Sequence, residues 1–215
     1  MIAALIALAL AAPQVAPTTP VSPVTPPTTP APTTLTRVVL TTEAGPIVIG
    51  VDAKAAPITA ANFLKYVDGK KLDGVSFYRA LKVADGYGLV QFGTRNEAKR
   101  TLPPIKFEPT TQTGLSHTDG TISMAMGAPN TAAGDFFVVV GDLTSMDAKD
   151  GQPGFAAFGR VLEGMDVIRK ILLAPTSPTL GEGAMKGQML APTIRITSAR
   201  RAPDASAGMT DRLQR

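Results

Sequence analysis

The hydrophobic pattern of this chain changes rhythm several times. Met1 to Ala12, MIAALIALALAA, is an unbroken apolar run, shorter than the ~20 residues that a bilayer-spanning helix needs. Pro13 to Thr34 has no rhythm: Pro and Thr alternate with small residues, and no charge occurs. From Leu35 onward the pattern turns to short runs of period two, interrupted by two stretches with a period near 3.6. Beyond Ala199 the periodicity is lost.

Each run predicts an element. LTRVVLTT and PIVIGVD read as strands around the turn Glu43 to Pro46. Ala60, Phe63, Leu64 and Val67 recur at i, i+3, i+4 and i+7. That spacing predicts an amphipathic helix over Pro57 to Asp68, with proline in its first turn and Gly69 after its end. Further strands are expected at Val75 to Lys82, Leu89 to Gly93, Thr121 to Ala125, Phe136 to Val140, Phe155 to Leu162 and Met189 to Thr197. A second helix over Gly164 to Leu172 places Met165, Ile168 and Leu172 on one face. Short strands with long Gly/Pro loops favour a mainly β, closed antiparallel barrel over a sandwich. The domain is expected to span residues 35–199, followed by a disordered tail over 200–215.

The two N-terminal segments point to export. The apolar run resembles the h-region of a secretory signal, with Ala9-Leu10-Ala11 as a cleavage site, although no Lys or Arg precedes it. The Pro/Thr tract reads either as a disordered leader or as a polyproline II spacer, whose roughly 22 residues would reach about 70 Å if fully extended. Together they lead us to expect an exported, periplasmic protein, in contact with a membrane only if the leader is retained.

Composition removes other functions. The 215 residues include 21 Lys and Arg against 17 Asp and Glu, one His, no Cys and no Trp. The basic residues are scattered except for Arg200, Arg201, Arg212 and Arg215. Nucleic acid is therefore not expected as a partner, since a basic face with interleaved aromatics is missing. The lack of Cys excludes thiol nucleophiles, disulfide exchange and Cys-based zinc sites. His117 has Ser116, Asp119 and Ser123 near it, but there is no G-x-S-x-G elbow, and a structural histidine bonding its own loop is the expectation. One His with scattered carboxylates offers no metal-ligand spacing, so neither metal nor other cofactor is expected.

Five motifs remain: F-x-R at Phe77 to Arg79, Q-x-G at Gln91 to Gly93, HTDGTISMA from His117, APNTAAGDFFVVV from Ala128, and FAAFGRVLEGMDVI from Phe155. In order and approximate spacing they resemble the cyclophilin-type peptidyl-prolyl cis-trans isomerases, most closely the bacterial exported branch. The resemblance implies an eight-stranded barrel capped by two α-helices, acting on proline-containing peptide segments, and we expect it to act as a monomer. The alternative is a cyclophilin-like module that holds such segments as a chaperone without catalysing rotation.

By this resemblance Arg79 and Gln91 are the catalytic pair, Gln91 orienting the guanidinium and bonding the substrate backbone. Phe77, Leu89, Phe137, Met146 and Phe155 are expected at the proline pocket, and Ala125 and Met126 beside the peptide. The departures matter too. The Arg79–Gln91 interval is about four residues longer than the family pattern, and Gly88 stands where a pocket Phe is expected, a space we expect Tyr87 to fill. Phe155 replaces a pocket His. Ser145 replaces a Trp or Phe associated with the family's cyclic-peptide inhibitor, which argues against tight cyclosporin binding. Asp135 replaces a Gln. An anion there either pairs with Arg79 and diverts it, or selects basic residues near the substrate proline.

Overall fold

The computed structural model describes residues 35–202. The apolar leader, the Pro/Thr tract and positions 203–215 lie outside the described residues. The elements run in the order β1 (Thr36–Thr42), β2 (Gly45–Val51), α1 (Pro57–Asp68), β3 (Ser76–Ala84), β4 (Tyr87–Gly93), α2 (Thr110–Thr113), β5 (Thr121–Met124), β6 (Asp135–Val140), β7 (Ala156–Glu163), α3 (Met165–Leu173), β8 (Thr176–Ser177) and β9 (Met189–Arg201). Hydrogen bonding gives the order β1-β2-β7-β5-β6-β4-β3-β9, and β9 pairs back with β1. All these pairings are antiparallel. The expected closed eight-stranded barrel is the result. The two-residue β8 sits beside the start of β9 and adds nothing to the wall.

Strand alternation decides what fills the barrel and what covers it. On β4, Val90 and Phe92 join the main core, whereas Leu89 belongs to a separate apolar cluster. On β6, Phe136, Val138 and Val140 point into the core, and Phe137 and Val139 belong to the second cluster. The interior is aromatic. Phe136 packs edge-on against Phe63 of α1 at 5.0 Å, and Phe92 lies 5.6 Å from Phe136. The barrel is therefore a packed core with no lumen, and a ligand has to bind outside it.

The helices form where the local pattern predicts. Helix α1 carries Pro57 at its start, a position where a missing N–H costs nothing. Its free N-terminal donors are met from afar. Glu108 accepts from the Ile58 N–H at 3.1 Å, the Thr59 N–H at 2.6 Å and the Thr59 hydroxyl at 2.7 Å, and an anion at a helix N-terminus also suits the helix dipole. Helix α3 buries Val167, Ile168, Ile171 and Leu172.

Strand β9 and the β3–β4 hairpin differ from the expectation by more than one residue. Strand β9 does not stop at Thr197: it continues to Arg201 because its last residues pair with β1, Ala199 against Leu40, Arg200 against Val39 and Arg201 against Val38. The outward residues there are charged, which hid the alternation. Each has a partner, Arg200 holding Asp73 with two 2.8 Å bonds and Arg201 holding Asp68 at 2.7 and 2.6 Å. The extra residues between Arg79 and Gln91 lengthen the β3–β4 hairpin to a turn at Asp85-Gly86, a dipeptide suited to tight hairpins. Lys82 ties this hairpin to α3 by donating to the carbonyls of Leu173 and Ala174.

Candidate functional site

A groove of about 530 Å³ lies on the outer face of β3, β4 and β6, bordered by the segment that follows β5 and by the start of β9. Its position follows from the pleat, with one irregularity that answers why an arginine sits in an apolar strand. Phe77 pairs with Phe92 and Arg79 with Gln91, so Tyr78 is an extra residue that forms a bulge in β3. In a regular strand residues 77 and 79 would share a face. The bulge cancels one alternation, leaving Phe77 fully buried in the core while Tyr78 and Arg79 line the groove.

The polar side of the groove is a chain of hydrogen bonds. Arg79 donates from Nε to Oε1 of Gln188 at 2.8 Å and from Nη1 to Oε1 of Gln91 at 2.9 Å. Gln91 in turn donates from Nε2 to the Tyr78 hydroxyl at 2.6 Å, and Tyr78 donates to Oδ1 of Asp135 at 2.9 Å. The Arg95 backbone N–H also donates to Oδ1 of Asp135, at 3.1 Å, and its guanidinium lies 5.2 Å from the centre of the Tyr78 ring. Arg79 is thus held on two sides by neutral amide oxygens. Its Nη2 donors meet no acceptor among the described residues. Because neither partner is an anion, its positive charge is not neutralised in contact.

Burial shapes the electrostatics. It pulls the Arg79 guanidinium below its ordinary value, though an arginine still stays protonated in a protein. It pushes the Tyr78 hydroxyl well up, an effect that the Asp135 charge and hydrogen bond reinforce. It also pushes the Asp135 carboxyl above its usual range, against the opposing bonds from Tyr78 and the Arg95 N–H and the charge of Arg95.

The apolar side is built on the second cluster. Leu89 and Phe137 line the groove from neighbouring strands, with Met146 and Phe155 from the loop between β6 and β7. The Phe155 ring stands edge-on to Phe137 at 5.4 Å. Beneath them His117 is fully buried and stacks on Phe137 at 5.9 Å. Its Nδ1 meets Asp147 Oδ1 at 2.6 Å and its Nε2 meets the Ser123 hydroxyl at 3.0 Å. A Ser-His-Asp arrangement does therefore exist, but Ser123 and His117 are both inaccessible. What it does is anchor the turn carrying Met146, since Asp147 also accepts from the Ser116 hydroxyl.

Nine of the ten expected site residues line this groove: Arg79, Gln91, Leu89, Ala125, Met126, Asp135, Phe137, Met146 and Phe155. Phe77 does not, because the bulge turns it inward. Two other expectations change. Asp135 makes no contact with Arg79; Tyr78 and Gln91 stand between them. Tyr87 does not fill the space at Gly88 but packs on Gly141, its hydroxyl bonded to the Asp142 carbonyl. The sequence reading missed Tyr78, Gln188, Arg95, Met185 and Met189. Tyr78 had no usable signal, since two consecutive large apolar residues also occur at Phe136 and Phe137, where the pairing runs on without a bulge. Gln188 had none, because its place depends on the pairing of β9 with β3.

Comparison with known proteins bears on this geometry. The family described as "Cyclophilin type peptidyl-prolyl cis-trans isomerase/CLD" matches residues 37–201. A peptidyl-prolyl cis-trans isomerase of Acinetobacter baylyi is 38% identical over 145 residues, covering 66% of this chain and 74% of the relative. Peptidyl-prolyl cis-trans isomerase B of Escherichia coli is 35% identical over 136 residues, covering 60% and 80%. Among solved structures, a Cryptosporidium parvum cyclophilin type peptidyl-prolyl cis-trans isomerase, determined in the presence of the dipeptide Ala-Pro, superposes with a TM-score of 0.62 at 18% identity, covering 78% of this chain and 99% of that one.

Proposed function

The chain belongs to the cyclophilin-type peptidyl-prolyl cis-trans isomerase family and is a peptidyl-prolyl isomerase; on that premise we propose that it turns X-Pro bonds in unfolded or partly folded segments of exported proteins, with Arg79 as the catalytic donor. The observation that carries this reading is a guanidinium fixed by two neutral carbonyls at the edge of an apolar floor, with donors left over.

The chemistry follows from amide resonance. Partial double-bond character gives an ordinary peptide bond a rotation barrier of ~18–20 kcal/mol. Twisting destroys the resonance and returns a lone pair to the prolyl nitrogen. A donor aimed at that nitrogen binds the twisted state better than either planar state, which is what lowers a barrier. Leu89, Phe137, Met146 and Phe155 hold the proline ring, and Gln91 keeps the guanidinium in place. No nucleophile, acid, base or metal takes part. A proline-containing dipeptide was present with the Cryptosporidium parvum relative, which supports proline-containing segments as the partners here.

The rival reading, a binding module without catalysis, rested on Asp135 diverting Arg79 and on the longer loop disturbing the site. Asp135 is bonded to Tyr78 instead, and the extra residues lie in the hairpin docked on α3. The enzyme reading is tested by Arg79→Ala. We expect kcat/KM on a short Ala-Pro peptide to fall at least about tenfold, or ~1.4 kcal/mol of transition-state stabilisation, with the unfolding midpoint nearly unchanged. A variant that melts early yet is fully active while folded would make Arg79 structural. Export rests on the apolar leader and the Pro/Thr tract. N-terminal sequencing of the protein from cell fractions is expected to find it cleaved near Ala11 outside the cytoplasm. A cytoplasmic protein still carrying Met1 would refute export.

A further inference from the structure

The hydrogen bonds behind Arg79 have a direction, and direction is what an amide side chain can lose. Gln91 presents a carbonyl on one side and an NH2 on the other, and only the carbonyl can receive Arg79, which has donors alone. At the other end an ionised carboxylate can only accept, so the Tyr78 hydrogen must point at Asp135. That leaves the Tyr78 oxygen as an acceptor, which calls for the NH2 of Gln91. The observed 2.9, 2.6 and 2.9 Å links satisfy both ends at once. Tyr78 and Gln91 are both buried, so water does not readily replace a lost partner.

We propose that Tyr78 and Asp135 are positioning residues for the isomerisation: the carboxylate of Asp135, acting through the Tyr78 hydroxyl, fixes the orientation of the Gln91 amide and so holds the Arg79 guanidinium at the reacting bond. Neither residue belongs to the chemistry itself. The inference rests on the reading of Arg79 as the donor to the prolyl nitrogen. It also assigns Asp135 a use for its charge. The anion compensates the half-buried cation of Arg79 across two intervening side chains, without competing for the N–H groups that the substrate needs.

Protonation undoes one end of the lock. A neutral carboxyl has a hydrogen of its own to donate. The Tyr78 hydroxyl is then free to point at Gln91, where it meets the oxygen if the amide turns over. A turned amide presents its NH2 to Arg79, donor against donor, and the guanidinium loses its hold. The groups facing Asp135 are Tyr78 from β3, the Arg95 backbone N–H and guanidinium from the segment after β4, and the Tyr66 hydroxyl of α1 acting through space. Burial outweighs their pull and raises the carboxyl, so it takes up its proton at a higher pH than a free aspartate does. The rotation itself uses no titrating group, so any acid limb in the rate comes from the protein.

The test is kinetic, using the full chain, a neutral Ala-Pro peptide and a protease-free assay such as NMR exchange between about pH 4.5 and about pH 8. Tyr78→Phe keeps the ring under Arg95 and removes only the hydroxyl. It is expected to lower kcat about fivefold with KM within about twofold, and to flatten the acid limb. Asp135→Asn is expected to flatten the acid limb too, while Asp135→Glu keeps a limb. Near-UV circular dichroism checks that each variant is folded. Wild-type kcat with an unchanged pH profile in Tyr78→Phe overturns the proposal. So does an acid limb that persists in Asp135→Asn, since it would then belong to another group. Arg79→Ala run alongside separates the two readings. If it is slow while Tyr78→Phe matches wild type, only the relay fails; if it is fully active, the donor role fails and the relay with it.

Discussion

Phe136 and Phe137 are adjacent and chemically identical, and the pleat of β6 sends one into the barrel and the other to the groove floor. Their substitutions should therefore be read out by different instruments. Phe136 is fully buried and touches Phe63, Tyr66, Phe92 and Phe158, so Phe136→Ala is expected to cost about 3–5 kcal/mol in urea unfolding with KM within about twofold where the variant is folded. Phe137→Ala is expected to raise KM about tenfold and to cost less stability, since its cluster packs against the barrel from one side. The alternation alone said that one of the two had to face outward. Which one, and the pairing of Arg79 with Gln91, came from the family pattern. Gln188 was out of reach: it lies in an irregular Gly-rich stretch, and what makes it an Arg79 partner is a strand contact more than a hundred residues away in sequence.

At the scale of elements, local signals were legible and partner-dependent ones were not. Helix α1 begins and ends where proline and the apolar spacing put it, because both act within a turn or two of chain. The end of β9 was illegible because outward-facing arginines gave no alternation, and only β1 on the other side of the barrel seam makes those residues a strand. The elements α2 and β8 are four and two residues long, too short to carry a period. The β3–β4 hairpin shows the same division. Its Asp85-Gly86 turn could be read from the dipeptide, whereas the bulge at Tyr78 that aims Arg79 could not be read from F-x-R. Gly88 in this hairpin is a matter of space: a Cβ there would lie 1.9 Å from the Leu81 carbonyl oxygen. That explains why no aromatic replaces it. Gly88→Ala is expected to destabilise by about 1–3 kcal/mol and, by pushing β4 away from β3, to lower kcat/KM as well. Unfolding and peptide assays on the same sample check both.

For the whole molecule, two sets of titrating groups separate in pH. Burial holds the His117 imidazole below its ordinary value, against the opposing hydrogen bond and charge of Asp147. The unfolded chain therefore takes up this proton first, and stability falls as pH drops below ~6.5 toward the lowered folded value. The slope is at most ~1.4 kcal/mol per pH unit, one proton's worth. Asp68 and Asp73 are held below the usual carboxylate range by their bonds to Arg201 and Arg200. Asp147 is pushed up by burial but held lower overall by Ser116 and His117. The stabilisation from these carboxylates is present above ~3.9 and is lost as pH falls through their folded values. Urea unfolding across pH is expected to show both steps, and His117→Gln to remove the upper one and to weaken Asp147's share of the lower. The filled interior of the barrel has a further consequence. Since Phe63, Phe92, Phe136 and Phe158 occupy the centre, the groove is carried on an outer wall, and a polypeptide has no mouth to enter and no end to present. It can be laid across the wall at any point along its length, let go, and taken up again at the next proline, so loops anchored at both ends are as accessible as free tails.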